Sequence, residues 1–215
     1  MMLSIIIPCY NEKNTIEKVV DQLNSLKIKK QIILVDDCSN DGTTEIIENI
    51  KKKIDKVVFH KKNLGKGGAI KSAKPFINGD YVVIQDADLE YEPKNLIHML
   101  NLMIDKKYNV LYGSRVLGGN RYIDNDNFKY FFRIFANHML TMFSNIVNNQ
   151  KLTDAHTCYK MFKKDIFKKI ILKENGFSFC PEINTKVSNL NIDIYETPIN
   201  YKGRSYEEGK KISFS

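Results

Sequence analysis

Three acidic residues at alternate positions follow an apolar run near the middle of the chain. Asp86, Asp88 and Glu90 come directly after Tyr81–Ile84, which has the composition of a buried β-strand. Alternate residues of an extended chain point to the same side, so the carboxylates of Asp86 and Asp88 can face one point. Carboxylate oxygens are hard ligands that suit Mg²⁺ or Mn²⁺, and such an ion typically also holds a diphosphate. Taken alone, the same residues also fit a solvated turn.

Four further clusters of polar and glycine residues follow apolar runs in the same way, at residues 8–12, 36–42, 63–69 and 113–115. None of them is specific by itself. Lys66 lies between glycines, but Gly67 follows it where a Walker phosphate loop needs Ser or Thr. The dinucleotide fingerprint G-x-G-x-x-G is absent after the first apolar run, which argues against a nicotinamide dehydrogenase.

The elements that must position these clusters alternate between strand and helix. Strands are predicted at residues 3–8, 31–35, 56–60, 81–84 and 109–112, and helices at 16–26, at 43–52, after 63–69 and at 93–106. Asn14 with Glu17 resembles a capping box for the first helix, and Pro93 suits the first turn of the fourth. This alternation predicts an α/β fold with a mostly parallel twisted sheet and helices on both faces. Ligands bind beyond the carboxyl ends of the strands in such sheets, and every cluster lies at such an end.

The second half of the chain is less regular. Residues 121–127 are polar and predict a loop, and 128–149 predict a long helix rich in Phe and Met. Arg133 interrupts this helix, so a membrane span is not expected. Its aromatic face fits the protein core, or alternatively a lipid surface or a lipid chain. A strand at 158–162, a helix at 181–190 and a last strand at 192–202 complete the prediction.

Bulk properties exclude several classes of protein. The chain has 215 residues, enough for one large domain with a full core, and a net charge of +8. Its lysines are scattered, which suits phosphate-bearing substrates or an anionic membrane, and no basic stripe interleaved with aromatics indicates nucleic-acid binding. Its four cysteines form no Cys-x-x-Cys pair, which favours reduced thiols in the cytoplasm. With no signal-peptide pattern, we expect a cytoplasmic protein, soluble or peripheral at the cytoplasmic membrane face.

Taken together in this order and spacing, the clusters closely resemble the family 2 inverting glycosyltransferases of the GT-A fold. Within that family the chain is most similar to the polyprenyl-phosphate sugar synthases of the dolichyl-phosphate mannosyltransferase type. The most specific elements are Gln-Asp-Ala-Asp-Leu-Glu-Tyr at 85–91 and Asp-Asp-Cys-Ser-Asn-Asp-Gly-Thr at 36–43. The resemblance covers the whole chain, and it implies a single domain over residues 1–215. Residues 1–115 would then form the nucleotide-sugar-binding half and residues 116–215 the acceptor-binding half.

The resemblance also implies roles for individual residues. The donor-binding residues would be Pro8, Tyr10, Glu12, Asp37, Lys66 and Asp86. The ligands of Mg²⁺ or Mn²⁺ would be Asp86, Asp88 and Glu90. The lipid phosphate and the donor diphosphate would contact Arg115, Arg133, Arg204 and Lys210, with Lys211 beside the last. The candidate catalytic residues would be Asp88, Arg115 and Asp154.

Elementary chemistry agrees with these roles. Cleavage of a nucleotide-diphosphate sugar leaves a diphosphate whose negative charge grows in the transition state, and a divalent cation with cationic side chains stabilises that charge. The planar fork of arginine suits bidentate contact with phosphate. A structural ion pair is the alternative for each arginine.

The role of Asp154 depends on the acceptor. A sugar hydroxyl needs a general base, whereas a lipid monophosphate is already an anion near neutral pH. Asp154 begins a segment that resembles the family element Asp-x-x-Ser-Gly-Phe, but Thr157, Cys158 and Tyr159 replace the last three residues. Asp154 is therefore either a base or an orienting residue, and His156 beside it is not taken as a catalyst.

The predicted function is an inverting, single-displacement transfer of a sugar from a GDP- or UDP-linked donor to a polyprenyl phosphate. One alternative keeps the transfer but replaces the acceptor by a saccharide or another hydroxyl compound. Another is a catalytically silent protein that binds a nucleotide-sugar and recruits a partner. A sugar nucleotidyltransferase is disfavoured, because the N-terminal Gly-rich loop with Arg that it needs is lacking.

Overall fold

The computed structural model describes residues 1–119 and 128–203, with the backbone alone for residues 128–133. Its strands are β1 (Leu3–Cys9), β2 (Lys30–Asp36), β3 (Lys56–Phe59), β4 (Tyr81–Ile84), β5 (Val110–Ser114), β6 (Lys160–Lys163) and β7 (Tyr195–Pro198). Its helices are α1 (Ile16–Ser25), α2 (Thr43–Ile50), α3 (Gly65–Ala73), α4 (Asn95–Asp105), α5 (Phe128–Asn148), α6 (Lys164–Lys169) and α7 (Phe179–Asn189). Short 3₁₀ turns at Lys51–Lys53 and Lys74–Phe76 extend α2 and α3.

These strands form one mixed sheet in the order β3-β2-β1-β4-β6-β5-β7. The pairs β1–β2, β1–β4, β2–β3 and β5–β7 are parallel, and β6 is antiparallel to both β4 and β5. The predicted mostly parallel α/β sheet is thus confirmed. Because β6 is inserted antiparallel between them, β4 and β5 still run in the same direction.

The register of the sheet determines where the polar clusters lie. Cys9 pairs with Asp36, and Asp36 pairs with Phe59, so β1, β2 and β3 end together. Ile6 pairs with Ile84, so β4 ends three residues before the level of Cys9 at the same edge. Since β5 points the same way as β4, Arg115 also follows a strand end on that edge. One edge of the sheet therefore carries all the predicted clusters.

Hydrophobic burial explains why the central strands are continuous apolar runs. Leu3, Ile5, Ile6 and Ile7 of β1 are fully buried, and so are all but the outermost side chains of β4. Helices cover such a parallel sheet, so its strands show no polar alternation. Two polar residues near the amino ends of β1 and β2 depart from this rule, and there the Ser4 hydroxyl donates to the side-chain oxygen of Gln31 at 2.6 Å. The polar clusters of the candidate site follow the carboxyl ends.

The prediction of how the first helix is capped was wrong. Asn14 and Glu17 form no capping box: α1 begins at Ile16, its N-cap residue is Thr15, and no side chain caps it. The Thr15 hydroxyl instead donates to the Glu12 carboxylate at 2.8 Å. Pro93 lies in the turn that leads into α4, since its carbonyl oxygen accepts the amide of Leu96 at 3.0 Å, and the helix itself begins at Asn95.

Candidate active site

The loops after β1 and β2 are joined by hydrogen bonds between their polar residues. The backbone amide of Glu12 donates to the Thr43 hydroxyl at 2.8 Å, and the amide of Asn11 donates to the Ser39 hydroxyl at 2.9 Å. Glu12 is buried in this network, whereas the Tyr10 side chain is 38% exposed at the tip of the loop. Pro8 lies inside β1 and shapes the strand end. Of the predicted donor residues here, Tyr10 presents a ring on which a base can stack.

Asp37 lies inside the loop network. Its carboxylate accepts hydrogen bonds from the backbone amides of Leu64 at 2.8 Å and Gly65 at 2.7 Å, and Nδ1 of His60 lies 2.7 Å from it. Gly65 opens α3 with a φ of +78°. The buried Asp37 carboxylate therefore fixes the start of the helix that carries Lys66.

The glycines of that helix accommodate another part of the chain. A Cβ atom at Gly67 would lie 2.5 Å from the carbonyl oxygen of Glu174, and one at Gly65 would lie 2.6 Å from that of Asn175. The Gly68 amide donates to the same Asn175 oxygen at 3.0 Å. This cluster therefore owes its glycines to the close approach of residues 174–176, and it places Lys66 between that segment and β4.

Lys66 forms an ion pair with Asp86, the first acidic residue after β4. The sulfur of Cys158 lies 3.6 Å from the ammonium group, and the ring of Phe179 lies 5.6 Å away. Burial lowers the pKa of Lys66, but the Asp86 carboxylate, together with Cys158 and Cys180, raises it more, so this pKa stands well above its ordinary value. The two predicted donor residues are thus brought together as a charged pair.

Asp88 and Glu90 lie on a tight turn beyond Asp86. Leu89 between them has a φ of +63°, and the Glu90 amide donates to the Asp88 carboxylate at 3.1 Å. The Glu90 carboxylate accepts a hydrogen bond from the Tyr201 hydroxyl at 2.6 Å. Within residues 1–119 and 128–203, no three acidic, His or Cys side chains form a ready-made metal cluster.

The chemistry of these ligands nevertheless fits Mg²⁺ or Mn²⁺. Mg²⁺ is usually held by one or two carboxylates together with substrate phosphates and water, not by a cage of protein ligands. Asp86 and Asp88 supply hard oxygen ligands at the strand tip where a diphosphate would lie. Asp86, Asp88 and Glu90 stay predicted ligands, with Glu90 held toward Tyr201.

After β5, Arg115 forms a buried bidentate pair with Asp154. The guanidinium Nε and one terminal nitrogen lie 2.7 Å and 2.8 Å from the two carboxylate oxygens. The side chains are 10% and 1% exposed. Burial lowers the pKa of Arg115, but the facing Tyr91 and Asp154 groups raise it more, so the guanidinium stays charged. This geometry supports the orienting alternative for Asp154, because its carboxylate is committed to Arg115.

The Asp154 loop is itself held from several sides. Its backbone amide and that of Thr153 donate to the Glu196 carboxylate at 3.0 Å and 2.7 Å. The Thr153 hydroxyl lies 2.7 Å from that of Ser114, the residue before Arg115. Sequence reasoning missed Glu196, because its contact joins β7 to a loop about 40 residues earlier and no local pattern marks it.

The sequence also did not indicate a buried cluster of polar and aromatic groups around Lys160. This lysine is fully buried, and its ammonium donates to the carbonyl oxygen of Ala155 at 2.8 Å and lies 3.8 Å from the centre of the Tyr112 ring. Asn184 contributes a 3.4 Å contact through its side-chain oxygen. Burial lowers the pKa of Lys160 to about 8. The only sequence signal is that Lys160 follows the Asp154 segment.

Lys160 predicts a dependence of stability on pH. Because its pKa is about 8 in the folded chain and 10.5 in the unfolded chain, the unfolded state binds more protons between these values, and stability rises with pH there. Relative to a Lys160→Met variant, the wild type should gain about 3 kcal/mol in free energy of unfolding from pH 8 to pH 10.5. Urea denaturation of both proteins across this range measures the difference, and other titrating groups cancel. Parallel pH profiles would contradict the expectation.

Four predicted residues cannot be compared with the structure. Arg204, Lys210 and Lys211 lie outside the described residues, and so does the side chain of Arg133. Their contacts with phosphate stay predictions. The described part of the chain holds Asp86, Asp88, Glu90 and Arg115 along one edge of the sheet.

Comparison with known proteins adds independent findings. A family model described as glycosyl transferase family 2 matches residues 4–171. The chain is 27% identical over 209 residues to the low-salt glycan biosynthesis hexosyltransferase Agl6 of Haloferax volcanii, covering 95% of this chain and 49% of that protein. It is 28% identical over 236 residues to the dolichyl-phosphate beta-glucosyltransferase ALG5A of Trichomonas vaginalis, covering 99% and 68%.

Among solved structures, a glucosyl-3-phosphoglycerate synthase from Mycobacterium tuberculosis has a similar fold, with a TM-score of 0.69 at 16% identity. The match covers 96% of this chain and 74% of that one, which was crystallised with Mn²⁺, UDP and glucosyl-3-phosphoglycerate. The chain spans only about half of the Haloferax protein, so that relative has a large part with no counterpart here.

Proposed function

Because the chain belongs to glycosyl transferase family 2, we propose that it moves a sugar from a nucleotide-diphosphate sugar to a polyprenyl phosphate. One observation carries this proposal. The Tyr201 hydroxyl lies 2.6 Å from the Glu90 carboxylate, and its ring lies 5.2 Å from the Arg115 guanidinium carbon. The acidic residues after β4 and the buried Arg115 guanidinium are therefore neighbours. A donor diphosphate bound next to an anionic acceptor requires such an arrangement. Residues 1–115 would bind the donor and residues 116–215 the acceptor.

A phosphate acceptor agrees with the state of Asp154. Transfer to a hydroxyl needs a base near the attacking oxygen, and the buried Asp154 carboxylate is instead paired with Arg115. A phosphate monoester is already anionic near neutral pH, since its second pKa is about 6. It attacks without a base and needs a cation to orient it. Arg115 is that cation in the proposal, and its pairing with Asp154 fixes its direction before the acceptor arrives.

The donor side is assigned by the same reasoning. Tyr10 would stack on the nucleotide base, while Asp37 would keep the first turn of α3 in place. Asp86 and Asp88 would hold Mg²⁺ or Mn²⁺, which, when bound, stabilises negative charge on the departing diphosphate. Lys66 contributes a further positive charge beside Asp86. Attack from the side opposite the diphosphate in one displacement inverts the anomeric configuration.

The donor and acceptor can be identified by two linked measurements. A thermal-shift panel of UDP-glucose, UDP-N-acetylglucosamine and GDP-mannose, each with and without Mn²⁺, should show one donor that raises the melting temperature, because a ligand of the folded state stabilises it by mass action. Transfer assays then offer that donor with a polyprenyl phosphate or a saccharide. Transfer to the saccharide alone would show that the acceptor is a saccharide and not a polyprenyl phosphate. Donor binding without transfer to either compound would indicate a catalytically silent binding protein.

Membrane contact is the second part of the proposal, and it rests on α5. This helix presents large apolar side chains outward, with exposures from 38% to 73%: Phe135, Met139, Leu140, Met142, Phe143, Ile146 and Val147. On its other face Thr141 and Asn148 are buried, and Asn145 exchanges two hydrogen bonds with Leu152 at 2.8 Å and 2.9 Å. An ordinary surface helix turns its apolar face inward, whereas α5 turns its apolar face to the solvent. An exposed apolar face of this kind marks a site of contact with an apolar partner.

Charge favours an anionic lipid surface as that partner. Residues 127–153 contain Lys129, Arg133 and Lys151 but no Asp or Glu. Two copies of this face would bring like charges together, whereas anionic lipids attract basic residues beside an interfacial helix. Of the helices in the described ranges, α5 included, none meets the length and hydropathy that crossing a bilayer demands. We propose that α5 lies along the membrane surface, which would bring a polyprenyl phosphate to Arg115.

Glutamate at two outward positions of α5 tests this contact. A Phe143→Glu/Val147→Glu variant should bind phosphatidylglycerol vesicles at least about tenfold more weakly than wild type in a sedimentation assay, because it removes apolar burial and adds negative charge. The control is Ile171→Glu/Phe177→Glu, which alters two side chains of similar exposure (70% and 62%) away from α5. Equal losses in both variants, or a wild type that forms dimers and ignores vesicles, would contradict membrane docking.

A further inference from the structure

Tyr201 touches both halves of the proposed site through different parts of its side chain. Its hydroxyl donates to the Glu90 carboxylate at 2.6 Å, and the face of its ring lies 5.2 Å from the guanidinium carbon of Arg115. The first contact is a charge-assisted hydrogen bond, and the second is within the range of a cation–π interaction. One side chain thus links a predicted metal ligand to the predicted acceptor-binding cation.

The backbone of Tyr201 is fixed to the same acidic turn. It forms an isolated β-bridge with Tyr91, and the next amide, of Lys202, donates to the carbonyl oxygen of Glu90 at 2.9 Å. The backbone and the side chain of Tyr201 are therefore both tied to Glu90.

A stack of buried tyrosines supports the Tyr201 ring from below. Tyr91 packs edge-on against it with ring centres 5.1 Å apart, and Tyr159 lies 4.7 Å from Tyr91 on the other side. The Tyr159 hydroxyl donates to the side-chain oxygen of Gln85, the residue before Asp86, at 2.5 Å. The Tyr91 hydroxyl accepts the amide of Cys158 at 2.9 Å. This stack extends from β4 to Tyr201 and leaves its ring little freedom to move.

We infer that Tyr201 is a positioning residue that aligns the donor and acceptor sides of the site by two separable contacts. The hydroxyl would keep the Glu90 carboxylate directed for the cation that accompanies the donor diphosphate. The ring would hold Arg115 at the angle at which its guanidinium meets the acceptor phosphate. This inference rests on the proposed function, and it adds a residue whose two contacts make two different predictions.

Two substitutions separate the contacts. Tyr201→Phe removes only the hydroxyl, so the Mn²⁺ concentration for half-maximal transfer should rise about tenfold while the acceptor KM stays within about twofold of wild type. Tyr201→Leu also removes the ring, so its acceptor KM should be about tenfold higher than that of Tyr201→Phe. A role in folding alone would not divide the effects between two ligands. Tyr195→Phe is the matched control, because the Tyr195 ring stacks on Tyr108 at 3.8 Å near the start of β7.

A binding measurement keeps the test independent of turnover. Calorimetry with Mn²⁺ plus UDP, and with Mn²⁺ plus GDP, should show weaker binding to Tyr201→Phe than to wild type or Tyr195→Phe. If Tyr201→Leu raises the acceptor KM no more than Tyr201→Phe does, or if neither variant differs from the control, the positioning role is wrong. If the wild-type protein transfers no sugar, the proposed function is wrong. Calorimetry still shows in that case whether the hydroxyl contact with Glu90 supports binding of Mn²⁺ with the nucleotide.

Discussion

Replacing Asp154 by asparagine is expected to lower the free energy of unfolding by about 3–5 kcal/mol, because it leaves the Arg115 guanidinium buried without its carboxylate. The wild-type pair is bidentate at 2.7 Å and 2.8 Å, with side chains 10% and 1% exposed, so solvent replaces little of the lost interaction. Transfer should fall about 100-fold in the folded fraction, since a cation displaced by about 1 Å no longer orients its substrate. Urea denaturation and initial rates measure the two effects.

A double variant separates stability from activity at this pair. Arg115→Met/Asp154→Leu replaces both charges with apolar groups of similar size, and such replacements of buried ion pairs are often neutral or stabilising. It should regain most of the stability, less the hydrogen bond that Asp154 accepts from the Arg115 amide at 3.1 Å. Transfer should stay as low as in Asp154→Asn. A stable double variant with wild-type activity would show that the pair is structural and would remove Arg115 from the site.

The edge of the sheet on which the site lies was predictable because it follows from short-range rules. The buried run before Asp86 marks a strand, and alternating strands and helices place successive strand ends together. The register then brings Cys9, Asp36 and Phe59 to one level, as expected. Arg115, which follows β5 directly, is thereby positioned by sequence pattern alone. Asp88 is not, because it lies on a turn beyond β4 and not on the extended chain that its spacing from Asp86 suggested.

The partners of those residues were not predictable, because they come from distant parts of the chain. Asp86 pairs with Lys66, which lies 20 positions earlier, and Tyr201 reaches Glu90 across 111 positions. Residue type limits what each side chain can bind, but only the packing of β6, β7 and the intervening loops decides which partner it meets. The antiparallel insertion of β6 between β4 and β5 is the clearest case, since no local pattern specifies strand direction.

The orientation of α5 shows the limit of periodicity in another way. Its pattern predicts a helix with an apolar face, and the structure confirms the helix at Phe128–Asn148. Periodicity does not say whether the apolar face points inward. Here the polar face packs inward through Thr141 and Asn145, while Phe143 is 61% exposed. Of the alternatives left open by the sequence, the exposure of this face argues against the protein core, and contact with a lipid surface or a lipid chain stays a proposal.

Replacing Asp88 by asparagine should reduce the rate of transfer by about two to three orders of magnitude and leave the fold intact. Asparagine has the size of aspartate and keeps an oxygen that can accept the Glu90 amide, as the Asp88 carboxylate does at 3.1 Å. It lacks the negative charge that a divalent ion needs. Loss of a single group that stabilises transition-state charge typically costs about 100- to 1,000-fold. The matched control is Glu92→Gln, on the same loop, whose carboxylate accepts a hydrogen bond from Asn200 at 3.1 Å.

Metal removal tests whether the Asp88 carboxylate acts through a divalent ion. If the ion acts through this carboxylate, chelation should lower wild-type activity by a similar factor and add little to the loss in Asp88→Asn, because both changes remove the same interaction. Calorimetry should show that Mn²⁺ strengthens UDP or GDP binding to the wild type and to Glu92→Gln, but not to Asp88→Asn. Undiminished transfer by an Asp88→Asn protein in the presence of chelator would exclude a cation at the strand tip. The positive charge opposite the diphosphate would then have to come from Lys66, the ammonium already paired with Asp86.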